Sequence, residues 1–323
     1  MSKSPFNTFG KSKSDHHQLV GFLMKVCYTE LNAEVINERI RHLKNIMQNC
    51  TLCPHECRVQ RFKGKYGVCR ISNKVYISSA GPHYGEELPL VGTYGSGTIF
   101  FSSCNLKCQF CQNYEISQLR SGRPVTIFQL AEIMLMLQQS GCHNINLVTP
   151  THVIPYIVEA ISRARELGLQ IPLVYNCGGY ESFSTLQLLD GIVDIYMPDI
   201  KYSDNEIARR YSGALQYWDI VRIAVKEMYR QVGNLTVNGQ GIATRGLLIR
   251  HLVLPNRLAG SEKVLEFITK ELSVDSYVNI MDQYHPVYHA KNHQILNRPI
   301  KKNEYNEVIK MAESIGLHRG YAS

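Results

Sequence analysis

The stretch Cys104-Asn-Leu-Lys-Cys108-Gln-Phe-Cys111 places three cysteines within eight residues. It follows closely on Gly97-Thr-Ile-Phe-Phe101, a short apolar run that predicts a buried β-strand. Three thiolates on one loop can bind three irons of a cubane 4Fe–4S cluster and leave the fourth iron without a protein ligand. A structural zinc site is the alternative, but zinc usually takes four protein ligands, whereas this loop offers three.

Beyond residue 97 the sequence alternates between apolar strands and amphipathic helices, which predicts a parallel sheet with helical crossovers. The predicted strands are 97–102, 144–149, 172–177, 192–198, 246–254 and 276–282. The predicted helices are 126–140, 153–167, 181–190, 215–232 and 261–272. Six such repeats predict an α/β fold, a partial (β/α)6 TIM-type barrel with an N-terminal cysteine-rich metal-binding extension. A closed eight-stranded barrel would typically need more chain.

A second cysteine group precedes the barrel. It consists of Cys50-Thr-Leu-Cys53-Pro-His-Glu-Cys57 and of Cys69, which ends Lys63-Gly-Lys-Tyr-Gly-Val-Cys69. Four thiols within twenty residues predict a closed metal site with four cysteine ligands. The spacing fits either zinc or an iron–sulfur cluster, so the metal stays open. These residues are called the four-cysteine group below.

The chain divides into four predicted segments. Residues 1–15 are polar and predict a disordered tail. Residues 16–92 form the extension, with a helix at 32–48, the four-cysteine group, and a short β segment at 74–79 that Gly81-Pro82 ends. Residues 93–290 form the barrel, and 291–323 contain a C-terminal helix at 302–315.

Composition narrows the class of protein. The 323 residues contain 44% hydrophobic residues and ten cysteines, and no apolar run reaches the length that spans a membrane. The N-terminus lacks the apolar core of a secretory signal, so we expect a cytoplasmic protein whose thiols bind metal. The formal net charge of +8 is scattered along the chain, which does not favour a nucleic-acid partner.

Polar side chains follow each predicted strand, at the edge of the barrel where active sites are built. Val148-Thr149-Pro-Thr-His152 follows the second strand, and Asn176 precedes two glycines after the third. Besides Thr149, the candidate cofactor-binding residues at the ends of these strands are Asn176, Asp199, Lys201, Arg250 and His285. An ordinary ion pair is the alternative for Asp199 and Lys201, and a structural role is the alternative for His152 and His285.

The cysteine loop, together with Phe110 and Asn113, resembles the signature of the radical S-adenosylmethionine (SAM) superfamily. This resemblance implies that Cys104, Cys108 and Cys111 hold a 4Fe–4S cluster whose open iron binds SAM. It further implies that Phe110 packs near the adenine. The expected activity is reductive cleavage of SAM to a 5′-deoxyadenosyl radical, which abstracts hydrogen from a substrate.

Within that superfamily, the chain resembles an uncharacterised branch related to pyruvate formate-lyase activating enzyme. The resemblance rests on Cys-x-Leu-Cys-Pro-His-x-Cys at 50–57, Thr149-Pro-Thr-His152, Asp199-Ile-Lys201 and Gln283-Tyr-His-Pro286. It implies that Lys201, Asp199, Asn176 and Arg250 position SAM, and that flavodoxin or ferredoxin supplies the electron. A Gly-Gly-Glu stretch of many superfamily members is absent after the second strand; Thr149, Thr151 or His152 would supply those hydrogen bonds instead.

The substrate does not follow from these motifs, because cofactor motifs and fold do not name a substrate. We expect a protein or a small molecule. The alternative function is a non-catalytic iron–sulfur or zinc protein that binds RNA or a protein partner.

Overall fold

The computed structural model describes residues 26–320. The tail predicted over residues 1–15 lies outside the described residues, as does the start of the predicted extension at 16–25. Within the described part of the chain, no helix has the length and apolar character that crossing a membrane requires.

The strands join into one mixed sheet whose centre is parallel. The described strands are β1 (Val75–His83), β2 (Ser96–Phe101), β3 (Arg123–Val125), β4 (Ile145–Val148), β5 (Leu173–Cys177), β6 (Ile195–Pro198), β7 (Thr236–Val237), β8 (Ala243–Leu252) and β9 (Tyr277–Met281). Their order is β3-β1-β2-β4-β5-β6-β8-β7, with β9 also paired to β8. Strands β2, β4, β5, β6, β8 and β9 pair in parallel. These are the six predicted strands, and the partial (β/α)6 barrel is confirmed.

Two antiparallel strands extend the sheet beyond β2. Strand β1 pairs with β2 from Ile77 opposite Phe101 to His83 opposite Ser96. It is longer than the segment predicted at 74–79, because Pro82 does not end it. Strand β3 covers β1 only as far as Ile77, so among the described strands the outer edge at Pro82 has no neighbour that needs a backbone N–H.

Every helix predicted in the barrel and at the C-terminus is present. The described helices are α1 (Cys27–Glu30), α2 (Ala33–Ile46), α3 (Leu88–Val91), α4 (Tyr114–Ser117), α5 (Ile127–Gln139), α6 (Ile154–Glu166), α7 (Phe183–Gln187), α8 (Asn205–Ser212), α9 (Tyr217–Val232), α10 (Ser261–Phe267) and α11 (Lys302–Ser314). Helix α7 is shorter than predicted, and a π-helical turn, Ile268–Leu272, continues α10. Helix α8 is not among the predicted helices because its sequence is polar, although Asp204 caps its first turn by accepting the Ile207 N–H (2.8 Å).

The interior of the barrel contains a small apolar cluster of its own. It consists of Leu90, Val174, Ile195, Met197, Leu235, Ala243 and Leu248. Because side chains two apart on a strand share a face, Val174, Met197 and Leu248 lie directly before Asn176, Asp199 and Arg250 on the inner face. Apolar packing therefore fills the barrel below the polar strand ends.

Helix α2 anchors the N-terminal extension to the barrel. Its apolar face buries Ile36, Ile40 and Leu43 and packs on α6. Lys44 and Glu159 form an ion pair across this contact (2.8 Å). The extension is thus part of the same core as the barrel.

We expect Leu43→Ala to lower the free energy of unfolding by about 2–5 kcal/mol, because it removes a fully buried side chain and leaves a cavity. Urea denaturation followed by circular dichroism measures this loss. Glu38→Ala, at an exposed position of the same helix, is the control and should change the stability by less than about 0.5 kcal/mol. Equal effects of the two substitutions would show that α2 does not pack on the core.

Candidate functional site

A cavity of about 370 Å³ opens at the carboxyl ends of the parallel strands. Ten of the site residues predicted from the sequence line this cavity. They are Cys104, Phe110, Cys108, Cys111, Asn113, Thr149, Asn176, Asp199, Lys201 and Arg250. A cavity of about 410 Å³ between α8, α10 and α11 contains none of them.

The cysteine loop is held by hydrogen bonds to the end of α8. The Lys107 N–H donates to the Ser212 carbonyl and the Gln109 N–H donates to the Tyr211 carbonyl, both at 2.8 Å. Helix α8, which the sequence did not reveal, therefore sets the conformation of the loop.

Two cysteine sulfurs of the loop accept hydrogen bonds. Cys104 Sγ accepts the Leu106 N–H (3.3 Å), and Cys108 Sγ accepts the Ser212 hydroxyl (3.0 Å). Burial raises the pKa of the Cys104 thiol to about 12, and it raises the pKa of Cys108 as well. Isolated thiols would stay protonated here, and a bound metal would displace those protons.

Asp199 binds two cations inside the cavity. Its carboxylate accepts hydrogen bonds from Lys201 Nζ (2.6 Å) and from Arg250 Nε (2.7 Å). Arg250 Nη2 also donates to Asn176 Oδ1 (2.8 Å). The three charged side chains are each less than one-fifth exposed. Burial favours the protonated acid, but Arg250 and Lys201 outweigh it and hold the pKa of Asp199 below its usual value.

The segment after β4 brings one residue to the cavity and turns two away. Thr149 lines the cavity with a left-handed backbone (φ 59°). Thr151 donates instead to the buried Glu181 carboxylate (2.7 Å). The His152 ring bonds to the Ser102 carbonyl (2.8 Å), and burial lowers its pKa to about 3. Thr151 and His152 are thus structural.

His285 does not reach the cavity. Its side chain is exposed and its Nδ1 lies 3.1 Å from the Gln283 carbonyl oxygen. The neighbouring Tyr284 points inward instead and packs edge-on against Phe110, with ring centroids 5.8 Å apart. Successive side chains of an extended segment point to opposite sides, so the inward Tyr284 leaves His285 outside.

Two glutamates that were not predicted from the sequence reach the cavity region. Glu86 lines the cavity from the loop after β1, and Glu87 follows it. Arg250 Nη1 lies 3.7 Å from Glu86 Oε2 and 3.8 Å from Glu87 Oε1. The available signal was Arg250 itself, because an arginine within an apolar strand needs buried acidic partners.

The cysteine loop also contacts the loop after β9. Gln112 Nε2 donates to the Gln283 carbonyl (3.1 Å) at an exposed position. This hydrogen bond crosses the open side of the barrel, between its first and last parallel strands.

The four cysteines of the extension lie in one loop region. The Cys50 N–H donates to the Val59 carbonyl (3.1 Å). Gly67 approaches Cys57 so closely that a Cβ at that position would lie 2.7 Å from the sulfur. Cys50 and Cys57 are near enough to contribute to the raised pKa of Cys69, whose main cause is burial. Cys50, Cys57 and Cys69 therefore lie in the same region of the extension.

Within residues 26–320, no group of three His, Cys, Asp or Glu side chains is arranged to hold a metal ion. The second metal therefore stays a prediction. The ligands of a cubane cluster bind different irons, so the three thiols around the cavity need not converge on one point. Their soft sulfur donors, shared cavity and hydrogen-bonded loop fit a cluster.

The extension is attached to the cysteine loop on both sides. His55 Nε2 lies 2.7 Å from the Asn105 carbonyl oxygen, and the Ser103 hydroxyl donates to the Cys69 carbonyl. The residues on either side of Cys104 thus contact the region of the four-cysteine group directly.

A model of the Radical SAM superfamily matches residues 98–243, which include the cysteine loop and the chain from β2 to β7. These matched residues, which make up less than half of the chain, resemble a radical SAM domain. An uncharacterized protein of Methanocaldococcus jannaschii is 33% identical over 293 residues, which cover 88% of this chain and 80% of the archaeal one. The chain belongs to the same family as that protein. A radical SAM domain implies a 4Fe–4S cluster and SAM as cofactors.

Two solved structures match this chain at low sequence identity and low TM-score. Native anSMEcpe with bound AdoMet is 13% identical and has a TM-score of 0.43; the match covers 66% of this chain and 57% of that one. The hydrogenase maturase HydG from Carboxydothermus hydrogenoformans is 14% identical with a TM-score of 0.46, and the match covers 67% and 49%. The chain thus spans less than two thirds of either protein.

We expect Asp199→Asn to lower the free energy of unfolding by about 3–5 kcal/mol, because it leaves Lys201 and Arg250 buried beside a neutral amide. Chemical denaturation measures this loss. Asp190→Asn is the matched control, since Asp190 pairs with Arg230 at the surface, and it should cost less than about 1 kcal/mol. Equal losses would contradict the central role of Asp199.

We expect the protein to lose stability in acid because of His251. Its buried ring bonds to the Ile200 carbonyl (2.7 Å) and the Ser261 hydroxyl (2.8 Å), and burial lowers its pKa from 6.5 to about 4. Between these pH values the unfolded chain binds more protons than the folded one, so stability falls as the pH falls from 6.5 to 4, by about 3 kcal/mol in total.

Denaturation curves at several pH values check this for wild type, His251→Gln and the exposed control His42→Gln. The His251→Gln variant should lose less stability over this range than the other two proteins. The same pH dependence in all three would show that His251 is not the group responsible.

Proposed function

We propose that this protein is a radical SAM enzyme that abstracts hydrogen from a protein or small-molecule substrate. In this proposal Cys104, Cys108 and Cys111 hold a 4Fe–4S cluster. The observation that carries it is the meeting of these three thiols with the buried ions Asp199, Lys201 and Arg250 in one cavity of a radical SAM domain.

The bound cluster would supply one electron, received from an external donor such as flavodoxin or ferredoxin, to SAM. With that electron, bound SAM would supply methionine and a 5′-deoxyadenosyl radical as the agent that takes a hydrogen atom from the substrate. The products would be 5′-deoxyadenosine and a substrate radical. An activity like that of the glycyl-radical activating enzymes is one form of this chemistry.

The residues of the cavity would bind and orient SAM. The Lys201 ammonium and the Arg250 guanidinium offer hydrogen bonds to carboxylate oxygens, and Asp199 holds both cations in position. Asn176 and Thr149 add polar atoms at the neighbouring strand ends. The ring of Phe110, packed on Tyr284 and Tyr202, would support the adenine, and Asn113 lines the same wall.

The four-cysteine group would hold zinc or an iron–sulfur cluster. Its contacts through His55 and Ser103 support a role in fixing the cysteine loop. None of the ten cysteines, which all lie within residues 26–320, forms a disulfide, and this fits a reducing, cytoplasmic location.

We expect anaerobic reconstitution to load about four irons that depend on the cysteine loop. The triple variant Cys104→Ala, Cys108→Ala, Cys111→Ala should lose them, whereas the control Cys142→Ala, which removes a buried thiol elsewhere, should keep them. Iron, sulfide and zinc analysis of any metal that remains in the triple variant identifies the ion of the four-cysteine group.

The reduced protein should show an electron paramagnetic resonance spectrum that SAM shifts, and it should form 5′-deoxyadenosine. If the triple variant keeps all its iron and SAM leaves the spectrum unchanged, the proposal is wrong. Binding of RNA or of a protein partner without SAM chemistry would then be the function to test.

A further inference from the structure

Glu86, with Glu87 next to it, forms an acidic end of the cavity that the proposed SAM chemistry does not use. Their side chains are only 8% and 7% exposed. Burial of a carboxylate is costly unless a cation or several hydrogen bonds compensate for it. The surroundings of these two residues therefore indicate what this end of the cavity binds.

This acidic end lies away from the cysteine loop. Strand β1 runs antiparallel to β2, so His83, its last residue, pairs with Ser96 at the beginning of β2. Cys104 comes just after the other end of β2. The cavity is lined at one end by Cys104 and at the other by His83 and Glu86.

The carboxylates around the cavity outnumber its permanently charged cations. Three buried carboxylates, Asp199, Glu86 and Glu87, face two buried cations, Lys201 and Arg250. Asp199 takes both cations at hydrogen-bond distance (2.6 and 2.7 Å). The two glutamates lie 3.7 and 3.8 Å from Arg250 Nη1, beyond a normal hydrogen bond. His83 Nδ1 lies 3.5 Å from Glu86 Oε1, which is also beyond a normal hydrogen bond. Among the described residues, no cation therefore bonds to either glutamate at hydrogen-bond distance.

Unpaired polar atoms surround the same point. Asn146 is fully buried and lies beside the Glu86 carboxyl, yet within the described part of the chain neither its Nδ2 nor its Oδ1 makes a hydrogen bond of normal geometry. Its side chain shares the inner face of β4 with Val148, which lines the cavity. Glu87 Oε1 accepts a hydrogen bond from Asn279 Nδ2 (3.1 Å), but its Oε2 has no hydrogen-bond partner among residues 26–320. Buried polar groups are rarely left unpaired, so these atoms point to a bound group.

We propose that Glu86, supported by Glu87 and Asn146, binds an ammonium or guanidinium group of the substrate. This rests on the proposed function, which assigns the cysteine end of the cavity to SAM. The substrate is then an alkyl amine or alkyl guanidine, free or as a side chain. Its cation lies against Glu86, and the carbon that loses hydrogen lies between Glu86 and the cysteine loop.

The test uses the cluster-loaded protein and four probes of equal chain length: n-butylamine, n-butylguanidine, n-butanol and butyrate. Thermal denaturation over a concentration series gives the affinity of each probe. We expect the two cations to raise the melting temperature of the wild type, and the alcohol and the acid to leave it unchanged. If butylamine and butanol act alike, the proposal is wrong, and this arm needs no variant.

The variant Glu86→Gln replaces the carboxylate by an amide of the same shape. We expect it to weaken butylamine about tenfold or more, since a charged hydrogen bond is lost. The matched control Glu132→Gln, at an exposed site on α5, should bind as the wild type does. Unchanged affinity in Glu86→Gln would overturn the proposal.

SAM also carries an ammonium group that Glu86 could bind. A separate measurement distinguishes the ammonium group of SAM from that of the substrate. The SAM-induced change in the resonance spectrum should need the same SAM concentration in wild type and in Glu86→Gln. If Glu86→Gln weakens SAM as strongly as butylamine, the cation is that of SAM and the substrate assignment fails. Absence of 5′-deoxyadenosine from the wild type would instead refute the proposed function, whatever the probes do.

Discussion

The carboxylate of Asp199 holds together the two cations of the cavity. Without this carboxylate, both cations would stay buried in the barrel. Among the described residues, Arg250 would then keep only the Asn176 amide at hydrogen-bond distance, and the Lys201 ammonium would keep none. The strand ends that carry these residues belong to three neighbouring parallel strands, so the ion network also sets their relative positions. The polar part of the barrel depends on the Asp199 carboxylate. The apolar cluster beneath it excludes water from that side of the ion network.

Much of the fold followed from local pattern. The six parallel strands are apolar runs separated by helical periodicity, and the parallel pairing follows from that alternation. The three loop cysteines and the residues at the strand ends share one cavity because parallel strands present their carboxyl ends at the same edge. These are consequences of spacing and of strand direction, which a single sequence carries.

What escaped prediction depends on contacts between distant parts of the chain. Glu86 reaches Arg250 from a distant part of the sequence, and no periodicity marks the loop that carries it. Helix α8 has few apolar residues, yet its end holds the cysteine loop through backbone hydrogen bonds that any sequence can make. His285 was predicted at the site because it follows the sixth strand, but the alternation of an extended segment gives the inward position to Tyr284.

The hydrogen bond from Gln112 to Gln283 crosses the unclosed side of the barrel at the surface. A hydrogen bond of this kind contributes about 1 kcal/mol, which is a factor of about five between the joined and the parted state. Thermal motion alone would often separate the loops that carry Gln112 and Gln283, without the movement of a whole domain. The size of molecule that reaches the cavity is then governed by the width of this gap and not by the 370 Å³ behind it. A flexible side chain of a larger protein and a small free amine would have the same way in.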